Sequence, residues 1–150
     1  MKPSFAHILM GAAGAMGTQV APRLAGDPYA MGQASIVGLI MVLVAQEADR
    51  AADTLSLETV GMRALFAEAA EAPLPEGLRR RLAAMADAPH AANFTVTALE
   101  ATATPMRELL IELHEALEDR PDEWARPLEA KVWDILKLGA YHRELYLPVL

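Results

Sequence analysis

Residues 93–118 read NFTVTALEATATPMRELLIELHEALE, and this stretch decides the fold. Val96, Leu99, Ala103, Met106, Leu110, Leu113 and Leu117 recur at alternating steps of three and four. A helix turns about 100° per residue, so these positions form one narrow apolar seam. A seam of that kind faces a partner helix at a shallow crossing angle, the geometry of an antiparallel bundle. Pro105 falls inside the run, where it removes a backbone donor and crowds the preceding turn. A kink there is expected, or a restart with Thr104 as N-cap.

Downstream the rhythm repeats. Leu128, Val132, Ile135, Gly139, His142 and Tyr146 share one face of a helix expected from about Pro127 to Tyr146. Gly139 within that face suggests a close approach by another helix. Upstream, Asp87-Ala88-Pro89 closes a short amphipathic helix over about Gly77 to Ala86, and Ala72-Pro73-Leu74-Pro75 is a loop before it.

Gly26-Asp27-Pro28 is a stop followed by a restart: a glycine breaker, an aspartate N-cap and proline at the first helical position. The helix it starts runs from Pro28 towards Glu71. Weak helix formers, Thr54, Ser56, Thr59 and Gly61, cluster near its middle and place a bend there. Before the stop, Ser4 caps a first helix reaching about Ala25, bent or frayed at Pro22. Gly11 and Gly14 on that helix are expected to let a second backbone pack closely. No stretch alternates with period two and no hairpin dipeptide occurs. The expected architecture is therefore all-α: an antiparallel four-helix bundle with one additional short helix, as a single domain over residues 1–150.

Composition narrows the function classes. The 150 residues are 53% hydrophobic and 22% charged, which excludes a disordered chain. With no cysteine, disulfides, thiolate catalysis and cysteine-held metals are excluded together. A net charge of −7 argues against nucleic acid as a partner. The three consecutive arginines, Arg79 to Arg81, lack interleaved aromatics and read as a solvated face. The start of the chain superficially mimics a secretory signal, but His7 and several glycines interrupt it, so a retained helix is expected. The longest unbroken apolar run, Ile36 to Ala45, falls short of the roughly 20 residues a bilayer span needs. A buried helix, no membrane partner and a cytoplasmic chain are the corresponding expectations.

Chemistry has few footholds. There is no phosphate loop, nucleophile elbow, His-Glu-x-x-His pair or Glu-x-x-His pair. His114 and Glu118, four apart on one helix face, could ligate a metal together, and Glu47 and His142 are the other candidate ligands. His7 and His90 lie on separate segments. Glu47, next to an all-round apolar run, is either a buried acid or the point where the helix leaves the core. No cofactor is expected and no catalytic residue stands out. Two features point to association instead. Residues 34–45 are apolar around the full circumference, and the chain finishes on Leu145-Tyr146-Leu147-Pro148-Val149-Leu150. A helical protein of bacterial type acting through protein–protein association as a homodimer is thus the leading expectation. The alternatives are a binder of a small apolar ligand in the bundle core and a metal-dependent bundle enzyme.

Overall fold

The structure, a computed structural model, describes residues 2–118, 120 and 122–147. It contains five α-helices: α1 (Phe5–Ala15), α2 (Pro28–Ala69), α3 (Glu76–Ala86), α4 (Val96–Leu117) and α5 (Ala125–His142). Among the described residues there is no strand. The all-α class read from the seams is the class observed.

Caps explain most boundaries. The Ser4 hydroxyl accepts from the His7 amide at 3.2 Å and starts α1. Asp27 Oδ1 accepts from the amides of Tyr29 and Ala30 at 3.0 and 3.1 Å and starts α2. Thr95 accepts from the Ala98 amide and starts α4, while the Asn93 side chain accepts from both the amide and the hydroxyl of Thr95. Each satisfies an amide that the first helical turn leaves without a partner. Near Pro22, which has no N–H, the first helix does not simply fray. It widens to a π-turn over Met16–Val20, with the Ala21 amide reaching Met16 O, and then tightens to a 3-10 turn over Ala21–Leu24.

α2 is helical without interruption through Thr54, Ser56, Thr59 and Gly61, where the sequence places a bend and not a break. Thr54 and Thr59 are buried, and the Thr59 hydroxyl donates to Ser56 O, so these residues are tied into the helix rather than loosening it. α4 continues through Pro105, whose side lies exposed, and it does not restart at Thr104. The Thr104 hydroxyl donates to Glu100 O instead. α5 ends at His142, four residues short of the expected Tyr146.

The described chain separates into two compact units, residues 2–51 with 144–147, and the described residues of 52–143. In the second unit one core draws on α2, α3, α4 and α5. Met62, Phe66, Leu82, Met106, Leu113, Leu117 and Val132 are its largest fully buried side chains. The α4 seam is buried as read from Leu99 to Leu117, joined by Leu109, whereas Val96 at its start is exposed. The Arg63 guanidinium closes the loop after α3. Its Nη1 donates to the carbonyls of Met85, Ala86 and Ala88, and its Nη2 donates to Pro89 O. One side chain thereby serves carbonyls that the end of a helix otherwise leaves open.

The first unit is built differently. α1 buries no residue, and the buried residues of α2 up to position 51 are three alanines, Ala34, Ala45 and Ala51. Gly38 of α2 lies against the end of α1 and the turn after it: a Cβ on Gly38 would be 3.6 Å from Met16 Cγ and 3.8 Å from Ala13 O. Gly11 and Gly14 do not mediate this approach, because a Cβ at either would meet nothing within 4 Å.

Candidate functional site

The densest polar constellation lies in the second unit. Glu58 on α2 accepts from Arg107 on α4 through Nε at 2.8 Å and Nη2 at 2.7 Å. Its Oε2 also accepts from Arg143 Nη2 at 2.5 Å, and Arg107 Nη1 reaches Glu100 at 2.6 Å. The Glu58 side chain is only 11% exposed, so its charge needs these partners. Burial alone would raise its pKa. The hydrogen bonds from Arg107 and Arg143, with their charges, outweigh that and hold the carboxyl below its ordinary range. Arg107 is raised in turn: the Glu58 hydrogen bond leads, against desolvation, with Glu100 adding to it. Both arginines are committed, and the carboxylate is stabilised as an anion. Such a group holds three helical segments together and is a poor proton acceptor.

Gly139 has its explanation here. A Cβ at that position would come within 2.9 Å of Arg143 Nη1. The glycine makes room for the guanidinium that reaches Glu58, rather than for an approaching helix backbone. Thr54, Leu57, Glu58, Gly61, Ile135 and His142 surround an adjoining void of about 20 Å³. A water needs roughly 10–15 Å³ by this kind of measure, so the void suits one water and no larger ligand.

The candidate metal ligands do not meet. Glu47 is exposed, on the open side of α2 between the buried Ala45 and Ala51, so it is not a buried acid. His114 is half-buried and stands edge-on to Trp133, with ring centroids 5.3 Å apart. Glu118 is exposed at the end of α4, where its amide donates to His114 O. His142 is half-buried beside the small void and packs edge-on against Tyr141. His7 is exposed and hydrogen-bonded to Ser4, and His90 is exposed. Among the described residues, no three of His, Asp or Glu stand close enough to hold a metal ion. The arginine run is occupied as well: Arg79 donates to Ala70 O, Arg80 pairs with Glu76, and Arg81 pairs with Glu112.

What remains open is apolar surface on the first unit. Phe5, Ile8, Met10 and Val20 on the first helical stretch are exposed, as are Tyr29, Met31, Ile36, Val37, Ile40 and Val44 on α2. Residues 144–147 lie along one end of it. Gln46 donates from Nε2 to Tyr146 O at 2.8 Å and accepts the Tyr146 amide at 2.9 Å, and Arg50 donates to Glu144 O at 2.6 Å. That strap covers little, because Leu145, Tyr146 and Leu147 are themselves exposed. Pro148, Val149 and Leu150 fall outside the described residues. α2 is also long and apolar enough to cross a membrane: an 18-residue window has mean hydropathy 1.7, with 11% of it buried. The unbroken run Ile36–Ala45 is shorter than this window, because isolated Gly, Ser or Gln residues interrupt the run without ending a span.

Comparison with known proteins returns no matching family model, no matching curated protein and no matching solved structure.

Proposed function

We propose that this protein acts by association, through the apolar surface of its first unit, while the second unit serves as a packed, ion-paired helical body. The observation that carries this reading is the inverted construction of the first unit. Its buried positions are alanines, while Phe5, Ile8, Tyr29, Ile36, Ile40 and Val44 are exposed. So many exposed apolar side chains favour a docking or insertion site, because leaving apolar surface in water costs roughly 25 cal/mol for each Å². Among proteins, a second copy of the chain is the simplest occupant, with C2 symmetry as the default.

The test is the solution behaviour of the full chain, by light scattering with and without a mild detergent. Association predicts a mass above 16.2 kDa, or detergent-dependent solubility. A stable, detergent-independent monomer of 16.2 kDa would defeat the proposal. Replacing Ile36, Ile40 and Val44 with glutamine should shift the chain towards that monomer.

A further inference from the structure

Resting on that reading, we propose that the occupant of the apolar surface is a lipid bilayer, and that α1 and α2 enter it as a helical hairpin.

The charge pattern is the first support. Residues 3–22 and residues 28–46 contain no Asp, Glu, Lys or Arg. Charges gather only at the ends. Lys2, Glu47, Asp49 and Arg50 flank one end, and Arg23 and Asp27 flank the turn. The structure brings the start of α1 beside this end of the α2 stretch, since Ala6 and Met10 share a groove with Ala45, Gln46, Asp49 and Arg50. The two helices therefore run antiparallel, with both open ends at one level.

Length agrees. At 1.5 Å per residue an 18-residue window reaches about 27 Å, against a hydrocarbon layer of about 30 Å. The preceding stretch Phe5–Leu24, part α, part π and part 3-10, is of similar reach. Hydrogen bonding also suits lipid. The Thr18 hydroxyl donates to Gly14 O and the Ser35 hydroxyl to Met31 O, each within its own helix. Gln19 and Gln33 lie towards the turn, and His7 and Gln46 towards the open end, so the longer polar side chains avoid the middle. Tyr29 near the turn, with Phe5 and Tyr146 at the open end, occupy the levels where aromatic rings meet headgroups.

The construction of the contact favours lipid over a second copy. Lipid tails are as apolar as leucine, so helices in a bilayer associate through small residues and turn large ones outward. Ala34, Gly38 and Ala45 lie on the contact side, and Ile36, Val37, Ile40 and Val44 face away. A second protein copy covers one flank. The run Ala34–Ala45 is apolar on every flank, which matches a surrounding solvent rather than a single partner. Lys2 and Arg50 outnumber Arg23, so the open end stays on the cytoplasmic side and the turn crosses.

The experiment is flotation of the full chain with vesicles of phosphatidylcholine and phosphatidylglycerol at 3:1, followed by alkaline carbonate extraction. Insertion predicts co-flotation that resists extraction. Ile40→Lys should cut partitioning on the order of 100-fold, because a central lysine is strongly disfavoured in a span, whereas Ile40→Leu should change it little. Circular dichroism in detergent checks that both variants keep their helices. Because the chain has no cysteine, Gly26→Cys and Asp49→Cys report topology with an impermeant maleimide on spheroplasts. Gly26→Cys should react directly and Asp49→Cys only after permeabilisation. Equal reaction of the two would overturn the hairpin. A water-soluble dimer that ignores vesicles would overturn the bilayer and keep association through a second copy. A water-soluble monomer that ignores vesicles would overturn both readings.

Discussion

Removing the charge of Glu58 tests whether the second unit is held by its ion-paired cluster as well as by its core. Glu58→Gln keeps the shape of the side chain but replaces three charge-assisted hydrogen bonds, at 2.8, 2.7 and 2.5 Å, with at most weak neutral ones. Breaking a fully buried pair costs about 3–5 kcal/mol, most of it from the partner left without a counter-charge. Arg107 is 30% exposed and keeps Glu100, and Arg143 is 44% exposed, so both regain some water. That lowers the expected cost to about 2 kcal/mol. For a chain of this size each kcal/mol shifts Tm by about 4 °C, giving a drop of roughly 8 °C in melts followed by circular dichroism.

The pH dependence adds a sign. Glu58 titrates lower in the folded chain than in the unfolded one, so its contribution is complete above the unfolded carboxylate value near 4.3. It is lost as pH falls through the depressed folded value. The gap between the native chain and Glu58→Gln should therefore be full at neutral pH and should close as pH falls below the ordinary carboxylate range. Combining Glu58→Leu with Arg107→Met removes both central charges and should recover part of the loss, because an apolar pair of similar volume often replaces a buried ion pair without penalty. A Glu58→Gln cost below about 0.5 kcal/mol, within the range of ordinary surface changes, would refute the reasoning. So would a gap that stays constant with pH.

Two further outcomes follow from the core and the loop after α3. Arg63→Ala should lower the urea midpoint by an amount equivalent to about 2 kcal/mol, since four carbonyls lose a charged donor. Arg63→Lys should recover only part of this, because an ammonium cannot reproduce the fork, and equal midpoints for Lys and Arg would show that only charge matters. Leu113→Ala, at a position with no exposure, should cost about 2–5 kcal/mol by denaturant titration, whereas Ile111→Ala on the exposed side of the same helix should cost far less. Equal costs would mean that the seam is not the packed face.

Period and punctuation made the helices legible. The three-and-four spacing from Leu99 to Leu117 has one geometric solution, and burial follows it residue by residue. Asp27 before Pro28 and Ser4 carry their capping chemistry locally, so the starts of α1 and α2 needed no tertiary information. Continuity was less legible. Propensity marked Thr54 to Gly61 and Pro105 as weak points, yet helix persists at both. Propensity differences of a few tenths of a kcal/mol per residue are small beside the burial of an apolar face.

Sequence by itself determined the all-α class, the starts of α1 and α2 and which face of α4 turns inward, because these depend on spacings of three or four residues and on side chains that bond their own backbone. Only the tertiary structure decided that Glu58 of α2 meets Arg107, 49 positions on, and Arg143, 85 positions on. It also showed that Gly139 clears the way for Arg143 and that, among the described residues, no three of His, Asp or Glu gather to hold a metal ion. No local pattern encodes such pairings, since they depend on how separate helices are rotated and stacked. The first unit divides the same way. Its apolarity is plain in the residue string, but that alanines lie at the helix contact and isoleucines face outward is a property of packing, because a helix apolar on all sides carries no mark of which side is covered.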